Sequence, residues 1–547
     1  MSGRAPRLAE SVTIDAPIAP GAPWILSVHG VPRARVGPAV ATFAAGLRAG
    51  GGDVGGAGAG GTTPGGTTTG GAETASRSVE SLTQEEADRL LREFATAGLL
   101  AGSERREPRS ARLRFRPPAS LELTLLDATR PALALARLLR RRPIRLLAGA
   151  AVGAVLLLGG VSAIVHGTEI GAVLSEPLPL PSLLVVSAAF LLAGAVHEAG
   201  HAVSLAALGG RPRRAGVMIF YLAPAFFCDV TDGWRLGDRR SRAAVALAGP
   251  AVHLVLAASA ATALLWAPTG RAALSCFVVA AALSALTNLL PLVHLDGYLA
   301  LVAVLDRPFL RRTAIRAAGD AVLRLLGGTA PRSSPWLVLF GVGCRAFALL
   351  LIGWAYLRSV PVLTLTEPGA VLALVFAAAL LGVLAVAVVR FARAARRGGV
   401  GALRVVGATA VLAATLAGVG ALPLEERIEG GYVVRAGETL LVRTSADPRI
   451  VPGTPVRLTS NGIAVRSPRS TAVVDGPAES LDAPVAALAP LSGLGDVPAV
   501  GYRLALPEGA DPAEVGGASI ALGDGTVGGA VLDLVAGAAL RRLEVGR

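Results

Sequence analysis

The sequence predicts an α-helical membrane protein with about seven spans, preceded by a small winged-helix-like α/β domain and followed by a β-rich domain. Three observations predict this fold class. Hydrophobic residues make up 53% of the 547 residues and charged residues only 16%, well below the roughly 25% of an ordinary soluble protein. The apolar residues gather into long runs between residues 144 and 422, and such runs can cross a ~30 Å hydrocarbon layer as helices. Arginines cluster in the segments between alternate runs.

The segment before the membrane region, residues 1–49 and 73–117, is predicted to be a small cytoplasmic α/β domain. Residues 24–28 are predicted to form a short strand, and residues 112–116 alternate between basic and apolar residues as a strand does. A helix between them is marked by a capping box and a C-terminal glycine, at Thr83, Glu86 and Gly98. Residues 50–72 are almost entirely Gly, Thr and Ala, a composition typical of a flexible linker or a disordered insert.

Residues 144–422 form the predicted membrane domain. Its seven predicted spans are 144–166, 182–208, 243–267, 272–303, 335–358, 368–391 and 402–422. The arginine-rich segments all fall on one side of the membrane if seven spans are present, and the loops on the other side hold almost no arginine. The positive-inside rule makes the arginine-rich side cytoplasmic. We therefore expect a multi-pass protein of the cell membrane, with a cytoplasmic N-terminus and an extracytoplasmic C-terminus.

The last segment, residues 423–547, is polar and is predicted to be an extracytoplasmic β-rich domain. Short alternating runs at 432–435 and 440–443 are separated by Gly, Pro and Asp turn residues.

The net charge of +14 does not indicate nucleic-acid binding. The arginines form no single face with interleaved aromatic residues, and their positions between apolar runs are those that membrane topology demands. The lipid bilayer, rather than a nucleic acid, is the partner that this charge pattern predicts. The three cysteines, Cys228, Cys276 and Cys344, form no CxxC pair, so a disulfide framework is not supported.

The second predicted span contains the sequence His197-Glu198-Ala199-Gly200-His201. Residues four apart lie on the same face of a helix, so the two imidazoles can ligate one zinc ion. Glu198 then lies beside the metal, where it can accept a proton from water as a general base. The alternative is that these are polar residues which hydrogen-bond between helices. Ionisable groups inside a span are nevertheless expensive unless they serve a site.

A catalytic zinc site usually has three protein ligands, and the fourth predicted span supplies Asp296 as the third. Pro291 is expected to kink this helix and Gly297 to let the chain turn freely. Irregular backbone at membrane depth is tolerated where it lines a wet cavity, which hydrolysis requires. Asp296 could instead be a helix-terminal acid at the membrane interface. His294 would face away from Asp296 on a regular helix, as an interface histidine or, alternatively, as a ligand or proton relay.

The pairing of HEAGH with Asn288-x-x-Pro291-x-x-x-x-Asp296-Gly297 resembles the site-2 protease family of intramembrane zinc metallopeptidases. The resemblance covers roughly residues 180–305. It implies that His197, His201 and Asp296 hold zinc, that Glu198 is the catalytic base, and that Asn288 binds the substrate strand or the developing oxyanion. For Asn288 the alternative is a buried amide bonded to a neighbouring helix. Ala248-Gly249-Pro250 resembles the family's third-helix motif, but His253 stands where the family often has Asn.

The segment 221–234 is similar to the corresponding loop of bacterial peptide-maturing members, and the short loop between spans two and three leaves no room for a PDZ domain. The N-terminal pattern resembles the peptide-binding winged-helix domains of ribosomal-peptide pathways, including the daptide type. These likenesses imply cleavage of a precursor peptide, or of another membrane-embedded peptide, during ribosomal peptide maturation. Two alternatives stay open: cleavage of a membrane-anchored regulator, and a non-proteolytic zinc-binding component of a peptide exporter.

Overall fold

The structure is a computed structural model of the chain. It describes residues 6–17, 23–28, 31–48, 83–102, 113–116, 120–220, 223–363, 367–510, 512–537 and 539–540. The predicted linker at 50–72 lies outside these described residues.

Among the described residues before the first long apolar helix there are five strands and three helices. In chain order they are β1 (Val12–Asp15), β2 (Trp24–Val28), β3 (Val31–Val36), α1 (Pro38–Arg48), α2 (Gln84–Ala97), β4 (Leu113–Arg116), β5 (Ser120–Asp127) and α3 (Thr129–Arg140). Strands β1 to β3 form an antiparallel sheet in that order. Leu26 and Leu47 pack with Phe94 and Leu99 in its core. The predicted cap of α2 is confirmed: Thr83 and Glu86 form a capping box, and Gly98 ends the helix at φ 73°.

The long apolar helices alternate with short elements. In chain order the segment contains α4 (Arg142–Val165), α5 (Gly167–Ser175), β6 (Leu178–Pro179), α6 (Leu180–Ala207), β7 (Arg214–Phe220), β8 (Ala223–Cys228), α7 (Arg239–Ala263), α8 (Arg271–Asn288), α9 (Asp296–Leu305), α10 (Leu310–Leu325), α11 (Pro335–Leu363), α12 (Glu367–Arg397) and α13 (Ala402–Gly420). Within the described residues, seven helices are long and apolar enough to cross a membrane, namely α4, α6, α7, α8, α11, α12 and α13. Large apolar side chains such as Leu147, Leu157 and Ile164 are exposed on them, as expected of surfaces that face lipid.

The predicted fourth span differs from the structure. The sequence suggested one kinked helix over 272–303, but α8 ends at Asn288 and α9 begins only at Asp296. Pro291 lies in the irregular segment between them. A proline lacks the N–H that continues a helical ladder, and here the helix stops before it instead of bending around it.

Strand β4 also lies elsewhere than predicted. The sequence placed residues 112–116 with the N-terminal domain, whereas β4 pairs with β5, β5 with β7, and β7 with β8 in one antiparallel four-stranded sheet. Strands β7 and β8 come from the segment between α6 and α7. The sheet therefore joins the chain before the first apolar helix to the loop that follows α6, a pairing that no local pattern reveals.

The C-terminal region is a closed barrel, which makes the predicted β-rich domain more specific. Its elements are β9 (Pro423–Arg435), β10 (Glu438–Arg443), β11 (Pro455–Thr459), β12 (Pro468–Pro484), α14 (Val485–Leu488), β13 (Leu491–Ser492), β14 (Asp496–Ala505), β15 (Val515–Thr526) and α15 (Val527–Leu532). The barrel order is β10-β14-β12-β11-β15-β9. Tyr432, Leu441, Leu458 and Ile520 are fully buried inside it.

The N-terminal sheet and the barrel contact opposite ends of the apolar region. Near the C-terminal end of α6, Arg235 pairs with Asp15 at 2.5 Å and Arg35 pairs with Asp306 at 3.3 Å. Near its N-terminal end, β13 pairs with β6 and Arg469 pairs with Glu176 at 2.5 Å. Helix α6 has 28 residues and is therefore about 42 Å long. This separation agrees with the arginine pattern that predicts the two domains on opposite sides of a membrane.

This arrangement predicts opposite labelling of two exposed acids when each is replaced by cysteine. In intact cells a membrane-impermeant maleimide should label Glu508→Cys in the barrel, whereas Glu85→Cys at the start of α2 should react only after lysis. The reason is that the arginine-rich segments between the apolar runs are predicted to lie on the side of the N-terminal domain. Equal labelling of the two variants in intact cells would contradict the predicted topology.

Candidate metal centre

Helix α6 presents two histidines on its buried face. His197 and His201 are one turn apart and both are buried, on the same stripe as Ala193 and Leu205. Their Nε2 atoms lie 3.2 Å from each other, and the ring planes are 81° apart. The spacing of four residues thus brings the two imidazoles together as predicted.

Asp296 reaches the histidines from the first residue of α9. The preceding irregular segment folds back so closely that a Cβ atom on Gly297 would lie 2.1 Å from the carbonyl oxygen of Leu289. Gly297 is therefore needed because it has no side chain at this contact, and not for the conformational freedom that the sequence suggested. The N-terminal end of a helix also favours a carboxylate electrostatically.

The three predicted metal-ligating side chains converge. The Nε2 atom of His197 lies 3.1 Å from one carboxylate oxygen of Asp296, and that of His201 lies 3.4 Å from the other. All the donor atoms lie within 4.8 Å of one another, so this group could hold a metal ion. Two of the three residues lie in α6 and the third in α9. In the sequence, His201 and Asp296 are 95 positions apart.

The hydrogen bond of His201 suits a metal ligand. Its Nδ1 atom lies 2.7 Å from the carbonyl oxygen of Val245 in α7. A carbonyl accepts, so Nδ1 carries the proton and the Nε2 lone pair points at the other two ligands, the usual arrangement of a metal-bound imidazole. Val245 lies five residues before Pro250, which stands inside α7.

Gly249 of α7 packs directly against both imidazoles. A Cβ atom at this position would lie 2.4 Å from Nε2 of His201 and 2.5 Å from Nε2 of His197. Any residue larger than glycine would therefore collide with the two donor atoms themselves. The sequence singled out this glycine within Ala248-Gly249-Pro250, but it did not indicate the contact that it makes.

Glu198 points to the four-stranded sheet. Its Oε2 atom accepts a hydrogen bond of 2.9 Å from the backbone N–H of Cys228 in β8. Burial raises the pKa of the Cys228 thiol to about 12, and the Glu198 and Asp229 carboxylates add to the effect. Cys228 therefore stays protonated at neutral pH and contributes its backbone, not a thiolate, to the site.

The remaining polar candidates lie around this cluster. The side-chain amide of Asn288 donates to the carbonyl of Ser284, 2.9 Å away in its own helix and not in a neighbouring one; its contact with a substrate stays a prediction. His294 packs edge-on against Tyr298, with 4.6 Å between ring centroids, and does not belong to the metal-ligating group. His253 is buried 4.9 Å from the ring of His197.

Two contributors to the site had no signal of their own in the sequence. The carbonyl of Val245 and the N–H of Cys228 act through the backbone, so the identity of the side chain does not reveal them.

The contact of Gly249 predicts that Gly249→Ala weakens metal binding. The added methyl group would push the imidazoles apart, and we expect the affinity for divalent metal to fall about 10- to 100-fold, the usual effect of losing support around metal ligands. Titration of the purified protein with metal ions measures this. Gly160→Ala in α4 is the matched control, because a Cβ atom there meets nothing within 4 Å. Equal affinity of Gly249→Ala and wild type would contradict the contact.

Comparisons with known proteins identify no relative of this chain. No family model matches it, and no curated protein or solved structure matches it. The site itself consists of two imidazoles and a carboxylate that could hold a metal ion, with a second carboxylate, that of Glu198, on the residue next to His197.

Proposed function

We propose that the protein is an intramembrane zinc metallopeptidase of the site-2 protease type, which hydrolyses a peptide bond in a precursor peptide. The observation that carries the proposal is the convergence of His197, His201 and Asp296 next to Glu198, inside a set of helices long and apolar enough to span a membrane.

The donor atoms fit a zinc ion. Ligand atoms that stand about 2.0–2.1 Å from a tetrahedral zinc ion stand about 3.3 Å from one another. The two Nε2 atoms are 3.2 Å apart, each lies 3.1 or 3.4 Å from a different oxygen of Asp296, and one donor atom from each residue lies within 4.8 Å of the other two. Two imidazole nitrogens with a carboxylate oxygen are also a ligand set typical of catalytic zinc, which keeps its fourth position open.

When bound, zinc would polarise the peptide carbonyl and lower the pKa of water in its open position. The residues of the chain do the rest. The hydrogen bond to Val245 keeps the proton of His201 away from the metal side of the ring. The N–H of Cys228 holds one oxygen of Glu198, so this carboxylate is fixed beside the ligands. Glu198 accepts the proton of the attacking water and passes it to the leaving amine.

The position of the site supports a substrate that enters from the side of the N-terminal domain. His201 lies six residues from the end of α6, near which Arg235 contacts Asp15 of the N-terminal sheet. A ribosomal precursor peptide would first appear on this side if the arginine-rich segments are cytoplasmic. We propose that the N-terminal domain binds the precursor and delivers it to the site.

The proposed base predicts that Glu198→Gln keeps the metal and loses the reaction. The amide is nearly the same size as the carboxylate but cannot accept the proton, so cleavage should fall about 100- to 10,000-fold. Zinc content by mass spectrometry and peptide cleavage are measured on the same sample. Glu93→Gln, the same change at an exposed position of α2, should behave as wild type. Cleavage near the wild-type rate in Glu198→Gln would rule out this base.

Delivery by the N-terminal domain predicts an effect of its docking ion pairs. The double variant Asp15→Asn, Arg35→Gln loses the pairs with Arg235 and Asp306 while the metal site stays intact. Cleavage of a long precursor should fall about 3- to 10-fold, since partly exposed pairs contribute up to about 1 kcal/mol each. Cleavage of a short peptide around the cut bond should not change.

The matched control for the docking variant is Glu10→Gln, Arg48→Gln, which makes the same charge changes at two exposed residues of the same domain. If the docking variant slows the long and the short substrates equally, or neither of them, the N-terminal domain does not deliver the substrate.

A further inference from the structure

An apolar cavity of about 320 Å³ lies against Glu198. Its walls come from five elements, and Glu198 is the only charged residue among them. Those elements are α3, α6, β5, β7 and β8, and the lining includes Leu125, Leu135, Ala215 and Glu198. No local pattern in the sequence indicates this cavity, because three of its walls belong to strands of the four-stranded sheet, which forms only in the folded chain.

The wall between α3 and α6 is set by close helix packing. Ala132 and Ala136 of α3 pack on Ala202 and Ala206 of α6, and small side chains let two helices approach closely. The guanidinium of Arg140 donates to the last carbonyls of α6, 2.9 Å from the oxygen of Ala207. These contacts hold α3 in place beside the sheet, so the cavity is a fixed feature of the fold.

The opposite wall is opened by a β-bulge. The pairing of β5 with β7 shifts register between Thr124 and Leu126, so Leu125 is the extra residue and lines the cavity. Gly216 faces this bulge, where a Cβ atom would lie 2.1 Å from the carbonyl oxygen of Leu123. Bulges often stand next to active sites, where they redirect a side chain.

We propose that this cavity binds one large apolar side chain of the peptide substrate, that of a residue adjoining the bond to be cut. This inference rests on the proposed peptidase function, because Glu198 is both the proposed base and part of the cavity wall. The cavity is roughly twice the 150 Å³ that suffices for a benzene molecule in an apolar cavity. A leucine, phenylalanine or tryptophan side chain therefore fits, and alanine would leave most of the space unfilled.

The walls favour a peptide side chain over a lipid chain. Leu125 and Leu135 at the mouth are 61% and 44% exposed, which offers an apolar entrance. The inner wall, however, carries the Glu198 carboxylate, held by the N–H of Cys228. A hydrocarbon chain against that carboxylate would remove its solvation without replacing it, whereas a bound peptide brings its own polar backbone to the acid.

The first test changes the size of the cavity and reads the residue preference. Wild type and variants cut a randomised decapeptide library, and mass spectrometry identifies the residues on both sides of each cut bond. Wild type should prefer Leu, Phe or Trp to Ala at one position. Ala215→Leu narrows the cavity and should lower the ratio of Phe to Ala about tenfold or more, as misfit in apolar pockets does. Leu135→Ala widens the mouth of the cavity and should raise the fraction of cut peptides that carry Trp at the preferred position.

Two controls match these variants. Ala225→Leu adds the same volume to β8 outside the cavity lining, and Leu138→Ala removes the same volume from α3 at a residue that is similarly exposed, 42% against 44%. Neither should change the preference. An unchanged preference in both cavity variants, or an equal change in the controls, would overturn the proposal.

The second test does not depend on cleavage. A decapeptide that carries a photoreactive leucine analogue is irradiated with the full-length Glu198→Gln variant, and the cross-linked residues are mapped. Cross-links should fall within 125–135, 195–203, 215–216 and 226–228 and should be lost in the Ala215→Leu background. Cross-links elsewhere would overturn the cavity proposal, as would their displacement by phospholipid. Cross-links at these residues in a chain that cuts no peptide would retain the cavity as a binding site and reject the peptidase function.

Discussion

The structure depends on one close approach, that of the α7 backbone at Gly249 to the imidazoles of His197 and His201. Two imidazoles and a carboxylate are brought within 3.4 Å of one another in a largely buried place. Burial of polar groups without partners is unfavourable by several kcal/mol, so this arrangement needs support. Part of this support is the hydrogen bond between His201 and the carbonyl of Val245. This bond requires α7 to lie close to α6, and Gly249 permits that close contact because it has no side chain. A metal ion bound by the three side chains would supply the remainder.

The four-stranded sheet is the second element on which the site depends. Strand β8 supplies the N–H that holds Glu198, and β8 is positioned through β7 by β5 and β4. The segment before α4, which holds β4 and β5, and the segment after α6, which holds β7 and β8, therefore form one sheet that supports Glu198. The same sheet forms a wall of the apolar cavity, so the proposed proton acceptor and the proposed side-chain site are positioned by one structure.

The two flanking domains have different relations to the site. The N-terminal sheet contacts Asp306 through Arg35, and Asp306 directly follows α9, the helix that begins with Asp296. A displacement of that sheet would thus act on a helix that carries one of the three residues that could hold a metal ion. The barrel instead contacts the segment before α6, through β6 and Glu176, about 42 Å of helix away from the other end. We infer that the barrel lies on the side of the membrane opposite to the N-terminal domain.

The sequence by itself determined the features that depend on local spacing or on composition. The seven long apolar helices follow from the length of apolar runs, the cap of α2 from Thr83 and Glu86, and the face shared by His197 and His201 from the helical period. The link between these histidines and Asp296 came from the need of a catalytic zinc site for a third ligand and from a resemblance, because no local rule relates residues that are 95 positions apart.

Only the tertiary structure decided which distant backbones meet. The pairing of β4 with the membrane region, the cavity beside Glu198, and the roles of Val245 and Cys228 all involve main-chain atoms or spaces between elements. Every non-proline residue offers the same N–H and C=O groups, so a sequence cannot show which of them a distant side chain will use. The break at Asn288 and the clearance at Gly297 likewise depend on how far the chain folds back on itself. Residue spacing thus determines which side chains share a face of one element, while packing between elements determines what that face meets.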